Sequence, residues 1–512
     1  MRLNQKVGII DVGSNSMRLV IYKKDKGLRY KELENIKTVA RLRNYLNEDK
    51  VLDDEGINKL IETLKSFQQI TQYHRLEQIK CVATATIRQA VNQDIIVQKV
   101  KESTDFDMIV LSEYEESFYG YLAVVNSTPI EHGITIDIGG GSTEVTLFKN
   151  RQLLKYHSFP FGIISLKKQF IKGEVPTQEE LDQLRNYLSE QFTSLPWLSE
   201  QINIPIIGIG GSARNVVQID QSMKNYPLAG LHQYELKRED LGLVKQFLIP
   251  LSFTELQRVE GLSKDRADVI LPALEVFDVL LQICHASCFI LSKKGLREGV
   301  FYEELMKPYA TPIFPDVVEE SFHDLALDFE INHDQVTHLN KTVTFLYKEL
   351  IQQKCELLND EDLFYLKKAA YVFNIGEYID SESSSQHTFY LLTNRTIDGL
   401  MHRERLLIAL LASYKSKESF KQFITPFTNW FSKDEQRKLR LLGTLLKFSH
   451  SLNGTKRGIV KRIEINHDGL ITVIHLYCDQ DWKSEQYQAE KQKRPLEKIL
   501  KRTVILQFHK LV

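Results

Sequence analysis

Two short loops, 126 residues apart, constrain this chain more than anything else in it: DVGSNS at Asp11–Ser16 and DIGGGSTE at Asp137–Glu144. Each follows an apolar run of β type, Val7–Ile10 and Ile134–Ile136, and each joins a carboxylate to glycines and hydroxyls. A strand that ends in Asp-x-Gly and turns through small residues points backbone N–H groups inward, as a cradle for phosphate. One loop of this composition is also an ordinary turn. Two with the same architecture predict a duplicated α/β fold with a phosphate clamped between its halves.

The surroundings of the loops repeat as well. The first block, to about Thr128, reads as strand, loop, strand (Met17–Tyr22), a helix near Asp54–Tyr73 capped by Asp53 or Asp54, and strand (Ile79–Ala83). The second opens at Gly133 and reads as strand, glycine loop, strand (Val145–Phe148), helix (Gln178–Phe192) and strand (Ile204–Ile209), followed by a glycine pair. Strands that feed helices through glycine turns give α/β layers. Pro308, Pro312 and Pro315 then exclude continuous helix and mark a linker. From Asp316 to Phe448 the spacing is helical. From Gly458 a hairpin turning at His467-Asp468-Gly469, a charged helix near Trp482–Lys501 and a strand at Val504–Phe508 make a small α/β tail. The expected domains are residues 1–130, 131–307, 316–448 and 449–512.

Composition is that of a soluble globular chain, 43% hydrophobic and 26% charged. The longest apolar stretch, Val269–Leu291, is interrupted by Glu275, Asp278, Gln282 and His285 and does not read as a membrane span. The N-terminus enters a strand with no signal-peptide core, so a cytoplasmic location is expected. The cysteines, Cys81, Cys284, Cys288, Cys355 and Cys478, mostly sit in apolar runs and read as small buried hydrophobes. A net charge of −1 gives no whole-chain argument for a polyanion, yet residues 421–512 hold 18 Lys and Arg against 9 Asp and Glu. That asymmetry favours a polyanion-binding surface. Its candidates are Lys433, Arg437, Lys438, Lys456, Arg457, Lys461 and Arg462, with a further cluster at Lys491–Arg502.

Cleaving a phosphoanhydride needs donors for the phosphoryl oxygens, a charge sink and an activated water. The Walker pattern is absent, so the cradle falls to Asp11, Gly13, Ser14, Asn15 and Ser16 in one loop and Gly139, Gly140, Gly141 and Ser142 in the other. GIGGSARN, with Gly210 and Gly211, and KKGLREG are glycine turns suited to closing the second half. Arg88, in VATATIRQAVN, offers a five-donor fork to a phosphate. Asp137 and Glu144 would repel a phosphate unless a cation intervened, which points to Mg²⁺ held partly by carboxylate and partly by substrate. The candidate base lies in LSEYEESFYGYLAVV. Ser112 and Glu115 have capping-box spacing, while Glu116 shares a helical line with Gly120 and Ala123, small residues that let a ligand come close.

DVGSNS, VATATIRQA, SEYEES, DIGGGSTE, GIGGSARN, DRADVI and GLREGV, in this order across residues 5–305, resemble the exopolyphosphatase/guanosine pentaphosphate phosphohydrolase family. The resemblance implies a duplicated actin-like, ribonuclease-H-like fold and Mg²⁺-dependent removal of terminal phosphate, with Glu116 in the position that activates water. Glu113 and Ser117 depart from the family's Gly and Ala and leave the paired acids intact. The longer family members append a helical domain resembling metal-dependent HD phosphohydrolases and a small tail, and 316–512 has this layout. Phe373 and Asn374 stand where the family's His and acid would be, and Tyr414-Lys415 where Tyr-His would be, so this domain reads as a binding arm. The resemblance also implies a homodimer. The leading expectation is an exopolyphosphatase acting on inorganic polyphosphate. A guanosine pentaphosphate 5′-phosphatase, with guanosine pentaphosphate or tetraphosphate as partner, a kinase of the same superfold and a non-catalytic sensor of polyphosphate or an alarmone are the alternatives. Nucleic acid is not an expected partner.

Overall fold

The computed structural model describes residues 5–24, 30–352 and 357–511. The described chain forms two compact units, one of residues 1–226 and 231–320, the other of residues 227–230 and 321–512.

The first unit holds two mixed sheets. Strands β1 (Lys6–Val12), β2 (Ser16–Lys24), β3 (Tyr30–Val39), β4 (Gln78–Ala83) and β5 (Met108–Val110) lie in the order β3-β2-β1-β4-β5. β1 is antiparallel to β2 and parallel to β4. The second sheet contains β6 (His132–Ile138), β7 (Thr143–Lys149), β8 (Gln152–Phe159), β9 (Ile206–Ile209), β10 (Glu235–Leu236) and β11 (Phe289–Leu291), ordered β10-β11-β9-β6-β7-β8. Its run β8-β7-β6-β9-β11 has the strand directions of β3-β2-β1-β4-β5, with β10 added at one edge. This is the duplication expected from the two loops, in the actin-like form that the family resemblance implied.

The sequence explains the layers. β1 buries Val7 and Ile9 in one core cluster and Ile10 and Val12 in another, so helices cover both faces. The helix Asp54–Tyr73 starts at Asp53, whose carboxylate accepts the Gly56 N–H at 2.7 Å, and buries Ile57, Leu60, Leu64 and Phe67. The helix Glu113–Val125 has the capping box read from Ser112 and Glu115. Sequence reading missed β3 and β8, whose outer residues are mostly polar. The apolar run at residues 269–291 divides into a core helix, Ile270–Ile283, and strand β11, and no described helix is long and apolar enough to cross a membrane. Cys81, Cys284, Cys288 and Cys478 are buried, and Cys355 lies outside the described residues.

The proline segment is pinned to the first unit. Asn126, at the end of the helix Glu113–Val125, donates to the Pro312 carbonyl at 2.8 Å and accepts the Phe314 N–H at 2.8 Å. Phe314 is buried. In the second unit, helices between residues 321 and 451 pack beside a three-stranded sheet of β12 (Val460–Asp468), β13 (Ile471–Cys478) and β14 (Thr503–Lys510). β12 and β13 form the expected hairpin. β13 and β14 are parallel, joined by the helix Lys483–Leu500.

The helix Glu113–Val125 crosses the helix Leu296–Met306 at Gly299, where an added Cβ would overlap the backbone carbonyl of Tyr119. Gly299→Ala is therefore expected to destabilise the fold by about 1–3 kcal/mol, the range for overpacking. Gly242, inside the helix Arg238–Leu248, has open space around it. Gly242→Ala should stabilise by up to ~1 kcal/mol. Thermal melting of the two variants beside wild type checks both signs.

Candidate active site

Between the two sheets of the first unit lies a cleft of about 330 Å³. Both Asp-Gly loops form its floor by the same local geometry. A Cβ at Gly13 would stand 2.9 Å from the Ser16 carbonyl, and one at Gly139 would stand 3.2 Å from the Ser142 carbonyl. The Gly139 N–H donates to that Ser142 carbonyl at 2.9 Å, and the Gly139 and Gly140 carbonyls accept the N–H groups of Ile163 and Ile164. Gly162 lies so close to this loop that its Cβ would stand 2.5 Å from Gly140 C and Gly141 N. Ser14 is buried and accepts the Thr86 hydroxyl at 2.7 Å.

Helix starts converge on the same space. Ile163 and Ile164 open one helix, Gly210 and Gly211 another, and Gly295 and Leu296 flank the start of a third; all six line the cleft. The positive ends of these dipoles favour an anion. Arg41, Arg214, Arg266, Arg297 and Lys293 also line it. The Nε groups of Arg214 and Arg297 are buried and have no hydrogen-bond partner among the described residues. Guanidinium groups lining a cleft are suited to binding phosphoryl oxygens.

Acids meet these cations. Asp11 accepts from Arg297 Nη1 at 2.9 Å, linking the first loop to the far half of the unit. Burial raises the Asp11 carboxyl, and Arg297 counters that. Glu116 Oε2 accepts from Arg88 Nη1 at 2.6 Å, and Arg88 also donates to the Leu111 carbonyl at 3.0 Å. Burial lifts Glu116 to about 7 despite Arg88, with Asp137 and Asp11 adding repulsion. Asp137 rises to about 6, from burial and then from Asp11. Glu144 is pushed well above the carboxylate range by burial and by Glu116.

Of the residues picked from sequence, Asp11, Gly13, Ser14, Asn15, Ser16, Glu116, Asp137, Gly139, Gly140, Ser142, Gly210 and Gly211 line the cleft. Arg88, Gly141 and Glu144 do not. Arg88 donates through Nη1 to Glu116 and to the Leu111 carbonyl, and Gly141 lies against the Arg43 guanidinium. Glu144 stands across from Asp137 in the β6–β7 register, behind the cleft wall, and accepts the Ser158 hydroxyl at 3.0 Å. Sequence reading quoted the motifs around Arg214, Arg266 and Arg297 but did not single the arginines out. Their signal was position: each follows a glycine turn or a short loop that the fold brings to the cleft.

The tail candidates are scattered. Lys438 pairs with Asp362 at 2.7 Å, Arg457 with buried Glu485 at 2.9 Å, Lys461 with Asp479 at 3.2 Å and Arg462 with Glu464 at 3.3 Å. Lys456 lines a separate cavity with Phe373, Asn374 and His450. Lys433 and Arg437 lie in the first turns of the helix Lys433–Ser451.

A cation in the cleft would meet hard carboxylate oxygens. No cleft residue is His or Cys, and no cluster of three or more His, Cys, Asp or Glu poised for a metal exists among the described residues. That donor set fits Mg²⁺, which binds through one or two carboxylates and completes its shell with water and phosphate oxygens.

The profile of the Ppx/GppA phosphatase family matches residues 20–308, and that of Ppx/GppA phosphatase domain III matches residues 317–497. The "Putative exopolyphosphatase" of Haemophilus influenzae is 28% identical over 307 residues, covering 58% of this chain and 91% of that protein. The crystal structure of the Aquifex aeolicus Ppx/GppA family member aligns at TM-score 0.53 and 28% identity, over 60% of this chain and 99% of that one. An exopolyphosphatase from Cytophaga hutchinsonii shares the fold at TM-score 0.55 and 22% identity, over 59% and 98% of the two chains. The chain belongs to the Ppx/GppA phosphatase family. It is a phosphatase-type hydrolase.

The ion pair between Arg88 and Glu116 makes a specific expectation. Arg88→Ala should lower kcat by about 10-fold or more, through a misplaced and less readily ionised Glu116, with KM little changed. Arg214→Ala, which removes a donor lining the cleft, should raise KM as well. Steady-state kinetics of the two variants on one phosphorylated substrate separates these patterns.

Proposed function

We propose that this protein is an Mg²⁺-dependent exopolyphosphatase that releases orthophosphate from the end of inorganic polyphosphate. The observation that carries this reading is the make-up of the cleft: its polar groups suit phosphoryl oxygens, and no aromatic side chain among the described residues lines it to stack a nucleotide base. The names of the Haemophilus and Cytophaga relatives point the same way.

In this reading the terminal phosphoryl group sits over the two Asp-Gly loops. Their N–H groups, the Ser14 and Ser142 hydroxyls and the arginine forks hold its oxygens and take up charge as the bond breaks. Glu116 accepts a proton from the attacking water, oriented by its bond to Arg88; a carboxyl lifted towards neutrality is basic enough to take that proton. Mg²⁺ would be held by Asp137 from the cleft wall, with Glu144 backing it, and would offset the negative charge on acids and substrate.

Glu116→Gln should cut orthophosphate release from polyphosphate by roughly 10²–10⁴-fold while polyphosphate still binds. Turnover at the wild-type level in folded Glu116→Gln protein would remove the assignment. Asp137→Asn should raise the Mg²⁺ concentration needed for half-maximal activity, and a chelator should abolish release. Running the same assay with guanosine pentaphosphate distinguishes the polymer from the nucleotide as substrate.

A further inference from the structure

The second unit holds a cavity of about 380 Å³ that the proposed reaction does not use. Three stretches of chain enclose it. One is residues 329–339, which run into the helix His333–Gln352; the second is residues 370–378, which leave the helix Asp362–Tyr371; the third is residues 450–456, at the end of the helix Lys433–Ser451. Phe373 and Asn374, which stand where the family pattern would place a His and an acid, belong to its wall. Among the described residues no set of three metal-ligating side chains exists there.

The wall is made of rings and amides. Phe329, Tyr371, Phe373, Tyr378 and His450 supply the rings. Phe329 meets Tyr378 edge-on with 5.4 Å between centroids, and Phe373 leans against His450 at 5.0 Å. Burial holds His450 below the ordinary histidine range against the pull of Glu377, so its neutral ring carries one donor and one acceptor. Asn332, Gln335, Asn374 and Asn453 supply the amides. Asn374 lies in the left-handed region at φ 57°, which Asn tolerates, and donates to Glu377 Oε1 at 3.2 Å. Asn453 Oδ1 accepts the Gly458 N–H at 2.7 Å, so what Asn453 offers a ligand is its NH2 group. The charged residues are Glu330, Glu377 and Lys456, an excess of one negative charge.

This make-up selects a class of ligand. Rings on a concave wall suit a flat π-system. A side-chain amide pairs with neighbouring donor and acceptor atoms, as the 6-amine and N7 of adenine provide, whereas the two acceptors of guanine ask for an Arg or Lys fork. Among the described residues no arginine lines the cavity. Carboxylates accept from ribose hydroxyls and repel a phosphate tail. The volume falls within the range of about 300–1,000 Å³ in which small ligands are held. We infer that this cavity is a nucleoside site that takes adenosine, the uncharged nucleoside, with its base against the rings and amides and its ribose on a carboxylate. The site adds a binding function to the phosphatase chemistry and does not rest on which substrate the cleft takes.

Calorimetric titration of the full chain with adenosine tests this, and one site per chain is expected. Phe373→Leu within the wall and Tyr378→Ser at its exposed rim should each weaken binding about 10-fold or more. If Phe373→Leu melts early, Tyr378→Ser carries the test, since its side chain is exposed. Tyr390→Ser removes an exposed ring outside the cavity and should leave the affinity unchanged. Inosine, which lacks the 6-amine, should bind about 10-fold or more weakly than adenosine, because a buried amide acceptor then loses its donor. Adenosine monophosphate should also bind the cavity more weakly. No binding at millimolar adenosine, wild-type affinity in Tyr378→Ser, or an equal loss in Tyr390→Ser overturns the site. Inosine or cytidine bound as tightly as adenosine overturns the choice of adenine. Adenosine monophosphate bound more tightly than adenosine, in a manner that Tyr378→Ser abolishes, overturns the choice of an uncharged ligand.

Discussion

Four carboxylates, Asp11, Glu116, Asp137 and Glu144, feel one another's charge inside a largely buried space, and the rest of the site follows from how that repulsion is met. Arg297 meets Asp11 and Arg88 meets Glu116. No side chain forms an ion pair with Asp137 among the described residues, and its carboxyl is raised accordingly. Breaking either pair would leave a buried charge uncompensated, a loss of about 3–5 kcal/mol when the partner is fully buried and less for these partly exposed ones. The arginines therefore hold the site together before any substrate enters it.

The two halves share a fold and differ in charge. In the first sheet Asp11 stands across from Arg18 on β2, which stands across from Lys37 on β3. In the second, Asp137 stands across from Glu144 on β7, which stands across from Ser158 on β8. Cross-strand neighbours point to the same face of a sheet. One loop thus has cations behind its acid, and the other has a second acid. A duplicated scaffold thus carries different charge behind its two loops, an asymmetry that the proposed Mg²⁺-assisted reaction would use.

What could be read from the sequence was local. The Asp-Gly loops, the Asp53 cap, the Ser112–Glu115 capping box and the β12–β13 hairpin each depend on residues a few positions apart, so the pattern carries its own physics. What could not be read depends on distant partners. The bond from Arg88 to Glu116 could not be read from its chain neighbourhood, because the partner lies 28 residues on. Arg297 reaches Asp11 across 286 residues, and Arg457 reaches Glu485 across 28. The edge strand β3, half polar because one face is open to water, gave no continuous apolar run. The proline segment read as a linker because its anchor, Asn126, lies 186 residues before Pro312.

The central claim is that the cleft's acids and cations are completed by a phosphoryl group and Mg²⁺ together. Reciprocal binding measures this most directly: the affinity of the full chain for Mg²⁺ with and without a non-hydrolysable imidodiphosphate analogue of the substrate. The account predicts that the analogue tightens Mg²⁺ binding by about 10-fold or more, that Mg²⁺ tightens the analogue by the same factor, and that Asp137→Asn removes the coupling. Equal Mg²⁺ affinity with and without the analogue, in the wild-type chain, would contradict it.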